Sequence, residues 1–121
     1  IIPEKGGAML NADAVKTSAG ALMNIPVCRV KSLNLAASIL RKNGIGIIGA
    51  TEKATQHYRE TSYAGPVAIA LGSEDKGLSA SMKEACDTLI SIPMFGKTGS
   101  LNVSVAAGIV LFEAAFTRGK P

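Results

Sequence analysis

The stretch Ile92-Pro-Met-Phe-Gly-Lys-Thr-Gly-Ser-Leu-Asn-Val-Ser-Val-Ala-Ala-Gly-Ile-Val-Leu-Phe-Glu-Ala-Ala115 runs from a loop of small and polar residues into one long apolar helix. Val103, Ala106, Ala107, Val110, Leu111 and Ala114 share one helical face, and Val105, Ile109, Phe112 and Phe116 share another. A helix apolar on so wide an arc cannot lie on a sheet with its back in water. It needs a second layer or a second subunit, and a homodimer through this C-terminal helix is the expectation. At its start, free backbone N–H groups collect, as they do at any helix N-terminus, and favour a ligand there. Ser100 is the expected N-cap. Asn102, an amide in the first turn of an apolar helix, needs a partner of its own.

Working outward, the preceding segments alternate between strand and helix. Ile45-Gly-Ile-Ile-Gly-Ala50 and Pro66-Val-Ala-Ile-Ala-Leu71 are continuous apolar runs of strand length, as expected of parallel strands covered on both faces. Thr88–Ile92 is a third strand, and Pro26–Val30 a short fourth. Ile1-Ile-Pro3 reads as the end of a strand whose partners lie upstream, which suggests an N-terminally truncated chain. Helices are expected over Asn11–Met23, from Ser32 to Asn43, where Leu33, Ala36, Ala37 and Leu40 recur at intervals of three and four, and from Ser79 or Ser81 to about Cys86. The polar segment Thr51–Gly65 is expected to be a surface connection, with the sole histidine, His57, on the surface. The alternation argues for a mostly parallel sheet flanked by helices, an α/β fold in a single domain.

The bulk numbers agree. At 121 residues, 47% hydrophobic and 18% charged, the chain can bury a core without staples. No apolar run reaches the ~18 residues that mark a membrane span, so the expectation is a cytoplasmic protein with no membrane contact. Cys28 and Cys86 have no metal-ligand spacing and are expected to be buried free thiols, and no metal is anticipated. The net charge is +4, and between Ala14 and Thr51 the chain carries Lys16, Arg29, Lys31, Arg41 and Lys42 with no acidic residue. Such a segment suits phosphate contacts, as in RNA, although a solvated lysine-rich surface would read the same. Aromatic residues make up only 4%, with no Trp, so base-stacking platforms are scarce.

A second loop, Leu71-Gly-Ser-Glu-Asp-Lys-Gly-Leu78, pairs with the first, since in open parallel sheets ligands sit beyond the carboxyl ends of the strands. Gly72 and Gly77 have P-loop spacing, but Leu78 stands where the phosphate-binding Lys belongs. Glu74 and Asp75 would repel a pyrophosphate and suit a ligand bearing hydrogen-bond donors or positive charge. An ordinary strand-to-helix turn with solvated acids remains an alternative for this loop alone. A Ser-His-Asp hydrolase is disfavoured: there is no G-x-S-x-G, and His57 lies in the polar connection.

Ile69-Ala-Leu-Gly-Ser-Glu-Asp-Lys-Gly-Leu78, with Ile92-Pro-Met94 and Ser100-Leu-Asn-Val-Ser-Val-Ala-Ala-Gly-Ile109, closely resembles the second and third motifs of the SpoU/TrmH family of SPOUT RNA 2′-O-ribose methyltransferases. Lys16-Thr-Ser-Ala-Gly-Ala-Leu22 looks like the segment upstream of them, so the resemblance covers nearly the whole chain. It implies an α/β fold with a C-terminal deep trefoil knot, a homodimer, an rRNA or tRNA substrate, and S-adenosylmethionine bound bent within the knot. Carried over by position, Leu71, Gly72, Gly77, Ile92, Met94, Ser100 and Leu101 would surround that cofactor, with Thr51 a weaker candidate. Glu74 and Asn102 would orient the substrate ribose or cofactor as catalytic residues. Lys16, Arg29, Lys31 and Arg41 are the expected RNA contacts.

Two departures qualify the resemblance. Asp75 stands where many members have Gly. The family's first motif, an Asn followed by the Arg proposed to take the 2′-hydroxyl proton, lies upstream of the Ile1 strand and is not in this chain. The expectation is therefore a cofactor-binding, dimerising portion that is inactive alone; the alternative is a non-catalytic knotted RNA-binding module.

Overall fold

The computed structural model describes residues 1–119, which form two compact units, one over Ile1–Ala36 and one from Ala37 onward. In the first, β1 (Ile2–Pro3) pairs in parallel with β2 (Arg29–Val30), Ile2 opposite Arg29 and Pro3 opposite Val30. The N–H of Ile2 donates to the Cys28 carbonyl at 2.9 Å, and that of Glu4 to the Val30 carbonyl at 2.9 Å. The Ile1–Pro3 stub thus has its partner inside the chain, contrary to the expectation that its partners lie upstream. Pairing covers only the end of the expected Pro26–Val30 strand, and Cys28 is exposed rather than buried.

Helix α1 (Ala12–Thr17) is capped by Asn11, whose Oδ1 accepts from the Ala14 N–H at 3.0 Å. The single helix expected to Met23 breaks after Thr17, where Ala19 (φ 50°) and Gly20 (φ 83°) turn the chain left-handed before a 3-10 turn over Ala21–Asn24. Helix α2 (Leu33–Lys42) follows, with Ser32 Oγ accepting from the Leu35 N–H at 3.1 Å and the basic Arg41 and Lys42 in its last turn, where they oppose the helix dipole.

The second unit is built on β3 (Gly46–Ala50), flanked by β4 (Val67–Ala70) and β5 (Thr88–Ile90) in the order β4-β3-β5, all parallel. Ile48 faces Ile69 on one side and Thr88 on the other. This central position explains why β3 is apolar throughout: Ile47 and Ile48 are both buried. The core joins Ile48 and Ile90 to Tyr63 and to Val110 and Ala114 of α4 (Val103–Thr117). Ile90 and Val110 are fully buried, each contributing about 2 kcal/mol relative to exposure. Helix α3 (Ala80–Ala85) is capped by Ser79, which accepts from the Met82 N–H at 3.2 Å. Half-buried Cys86 ends it, its thiol donating to the Met82 carbonyl at 3.1 Å, and burial pushes that thiol's pKa up, with Asp87 adding to the effect. The fold is α/β with parallel sheets and helices, as expected.

The Thr51–Gly65 connection is largely at the surface, but two of its side chains turn inward. Tyr63 is only 2% exposed, and its hydroxyl donates to the Tyr58 carbonyl at 2.7 Å. Burial first, then the nearby charges of Glu113 and Tyr58, push its phenol up to about 12. His57 is half-buried rather than on the surface: its Nδ1 accepts from the Arg59 N–H at 3.1 Å to cap a 3-10 turn over Tyr58–Glu60, and its ring stacks on Tyr58 with centroids 4.7 Å apart. Arg118, beyond α4, donates to the carbonyls of Tyr63 and Gly65 and ties the helix end to this connection. The far side of α4 is open, with Val105, Leu111, Phe112 and Phe116 exposed.

Candidate functional site

Beyond the carboxyl ends of β3, β4 and β5 lies a half-open cleft of about 250 Å³. Parallel strands all end on the same side, so the turns that follow them converge there. Thr51 follows β3, the Leu71–Gly77 loop follows β4, Ile92 and Met94 follow β5, and Ser100 and Leu101 lead into α4; all of these line the cleft. The structure therefore brings together Thr51, Leu71, Gly72, Gly77, Ile92, Met94, Ser100 and Leu101, the full set expected around a cofactor, and adds Glu74.

The loop's shape follows from its glycines. A Cβ on Gly72 would fall on the backbone of Gly77 and Leu78, so the chain folds back on itself at a separation that no side chain permits. Gly77 closes the turn at φ 66°, its N–H donating to the Ser73 carbonyl at 2.9 Å, and the Lys76 N–H adds a bond to Ser73 Oγ at 3.3 Å.

That turn presents Glu74 to the start of α4. Asn102 Nδ2 donates to Glu74 Oε1 at 3.1 Å, while Asn102 Oδ1 accepts from the Ser104 N–H at 2.9 Å and from the Ser104 hydroxyl. The N-cap of α4 is thus Asn102, not Ser100 as the sequence suggested. Either residue can cap, but only Asn102 has a second polar group to satisfy, and Glu74 supplies the partner. Ser100 is left exposed at the cleft wall.

Sequence reasoning missed Glu52, Lys76, Val103 and Ala106, which also line the cleft. The helical spacing of Val103 and Ala106 puts both on the face turned to the loops, a signal available once the cap is fixed at Asn102. The lining is mixed. Leu71, Ile92, Met94, Leu101, Val103 and Ala106 offer an apolar slot for a planar or aliphatic group, and Glu52, Glu74 and Asp75 offer acceptors for ligand donors or a cationic centre. A ligand with an apolar ring, hydroxyl and amino donors and a positive charge fits this combination; a polyphosphate does not. Among the described residues no group of three or more His, Cys, Asp or Glu side chains could hold a metal ion.

Of the expected RNA contacts, Lys16 on α1, Arg29 on β2 and Lys31 after it are exposed in the first unit. Arg41, in the second unit, is exposed but bound: its guanidinium lies 3.1 Å from Asp87 Oδ1, while Asp87 Oδ2 accepts from the Ile47 N–H at 2.8 Å. That pairing ties α2 to the central strand and lessens its availability to phosphate.

Comparison with known proteins points the same way. A model of the SpoU rRNA Methylase family matches residues 1–112. A 23S rRNA (guanosine-2′-O-)-methyltransferase RlmB of Yersinia pestis is 40% identical over 119 residues, covering 98% of this chain and 48% of that protein. The SpoU methyltransferase AviRb of Streptomyces viridochromogenes, solved in complex with the cofactor AdoMet, superposes with a TM-score of 0.87 at 27% identity, over 97% of this chain and 48% of that one. A TrmH/SpoU tRNA modifying enzyme of A. aeolicus superposes with a TM-score of 0.80 at 30% identity, over 96% of this chain and 58% of that one. The chain spans about half the length of the curated relatives it matches.

Proposed function

Because the chain belongs to the SpoU rRNA methylase family, we propose that its second unit binds S-adenosylmethionine in the cleft and serves the methylation of a ribose 2′-hydroxyl in rRNA or tRNA. The observation that carries this reading is the convergence of the Leu71–Gly77 loop, Ile92, Met94, Ser100 and Leu101 on one cleft, with Glu74 joined to Asn102 at its rim. We further propose that both units act as one methyltransferase domain, knotted at its C-terminal end, dimeric through α4 and working in the cytoplasm; no helix among the described residues is long and apolar enough to cross a membrane.

The residues present fit this cofactor. Gly72, where a Cβ would strike the backbone of Gly77 and Leu78, lets the loop fold back tightly beside the cleft, and the slot between Leu71, Ile92 and Leu101 suits an adenine face. Glu74, Asp75 and Glu52 supply the negative field that a sulfonium and an amino group call for. When bound, S-adenosylmethionine supplies an electrophilic methyl group on a cationic sulfur. The chain's own part is to hold that group, to exclude water from the apolar slot, and to fix Glu74 through Asn102 so that a carboxylate oxygen remains to accept a hydrogen bond from a ribose hydroxyl. Alignment alone does not deprotonate a 2′-hydroxyl. On this reading transfer also needs a base for the 2′-hydroxyl proton, the part the family's first motif would play.

Isothermal titration with S-adenosylmethionine tests the binding half; no heat and no rise in melting temperature at millimolar ligand would sink it. For the catalytic half, this chain alone is expected to leave RNA unmodified, and a chain extended at its N-terminus to carry the Asn and Arg of the family's first motif is expected to methylate a ribose. Substituting Asn102→Ala in the extended protein should lower transfer more than cofactor binding, and equal losses would contradict the orienting role.

A further inference from the structure

We propose that the loop from Phe95 to Gly99 is the RNA-gripping arm of the cleft, with Phe95 stacking on a base next to the methylated nucleotide and Lys97 meeting its phosphate. The inference rests on the methyltransferase reading and names the part of the chain that holds the substrate. Met94 and Ser100 both line the cleft, so the loop leaves the cleft lining and rejoins it, and all five residues between them are exposed. Phe95 is 96% exposed, above every other large hydrophobic side chain among the described residues; the next, Phe112, stands at 81% on the open face of α4.

Scattered apolar side chains on a surface need no explanation. Phe95 differs by position and surroundings. The chain has five aromatic residues, two Tyr and three Phe. Tyr63 is buried, Tyr58 is half-buried against the core, and Phe112 and Phe116 belong to the helix face. Phe95 is the aromatic residue attached to the cleft by a loop. Gly96 and Gly99 are not imposed by crowding, since a Cβ on either would meet nothing within 4 Å. Their effect is to leave backbone open, and no backbone hydrogen bond within the described residues engages the N–H groups from Gly96 to Gly99. Lys97 is the loop's one charge, while the cleft lining carries Glu52, Glu74 and Asp75 against the single cation Lys76. The lining is therefore net acidic, and a phosphate finds its attraction at the loop. An aromatic face, a cation and unbonded amides together recognise a nucleotide of a single-stranded RNA, where unstacked bases lie on aromatic side chains and backbone donors meet phosphate.

The chain contains no Trp, so Phe95→Trp places a single tryptophan, excited selectively over Tyr58 and Tyr63, at the proposed contact. Titrating this variant with a single-stranded RNA oligonucleotide at low salt should quench its emission. Phe95→Ala and Phe95→Leu should each weaken RNA binding about 10-fold, because leucine keeps apolar bulk without a π-face. Their calorimetric affinity for S-adenosylmethionine should be unchanged. Lys97→Ala should reduce the slope of log affinity against log salt by about 0.7, one single-strand phosphate contact. Emission that ignores RNA overturns the proposal, as does Leu binding RNA like Phe. Emission that instead follows dilution of the protein assigns Phe95 to a contact between copies and also overturns it. Failure of the cofactor reading would show separately, as absent heat with S-adenosylmethionine in the unsubstituted chain.

Discussion

Asn102 Nδ2 and Glu74 Oε1 lie 3.1 Å apart, so the residue that caps α4 also holds the loop after β4. The helix start and the cleft rim are one unit. Asn102→Ala should cost about 1 kcal/mol for the lost cap, and Asn102→Asp should keep the cap while setting a second carboxylate against Glu74. A double-mutant cycle with Glu74→Gln, read by urea denaturation, should show coupling of roughly 0.5–1 kcal/mol. Strict additivity would mean that the bond contributes nothing in solution.

Gly72→Ala forces a methyl group onto the backbone of Gly77 and Leu78. We expect a loss of about 3 kcal/mol, the upper end of ordinary overpacking, since neither contact is a flexible side chain that can move aside. Thermal unfolding measures the loss. Gly96→Ala, with open space around it, should leave the melting temperature unchanged and serves as the control.

Tyr63 supplies a pH signature. Its folded pKa is raised to about 12 from 10.0, so the folded state retains the proton where the unfolded state gives it up. The stabilisation is complete below pH 10 and falls as pH rises from 10 towards 12, by an amount of order 2 kcal/mol. Denaturation midpoints between pH 8 and 11.5 should therefore decline more steeply for the parent chain than for Tyr63→Phe. At pH 8 that variant should be less stable by about 1 kcal/mol, for the lost bond to the Tyr58 carbonyl. Parallel pH curves would contradict this origin.

The exposed face of α4 tests the proposed dimer. Phe112→Glu with Phe116→Glu should convert a dimer to a monomer in sedimentation, while leaving the fold intact because both side chains already face solvent. A chain that sediments as a monomer before substitution would rule out this face as the interface.

The strands were legible because β3 is buried and β4 half-buried along its whole length, so both read as unbroken apolar runs. Both loops were legible because their glycines and polar residues mark where strands end. Tyr63 was not, since Ser62, Ala64 and Gly65 around it carry no apolar period; its burial is decided by α4 packing from the far end of the chain. Ser100 and Asn102 are both good caps, and propensity cannot choose between them; Glu74, distant in sequence, does. Arg41 counted as a free cation by charge alone, because nothing local shows Asp87 beside it. Cys28 was read as buried on the strength of a strand of which only the last two residues pair.

The register of β3 has a consequence for the order in which the molecule assembles. Ile48 finds its neighbours at Ile69 and Thr88, so neither strand pair can close as a local hairpin. Such non-local pairing is slow to form, because each contact must first overcome the entropy of closing a long loop. The cleft also draws its last wall from Ser100, Leu101, Val103 and Ala106. A nascent chain emerging from the ribosome therefore has no complete pocket until the first turns of α4 have followed all three strands.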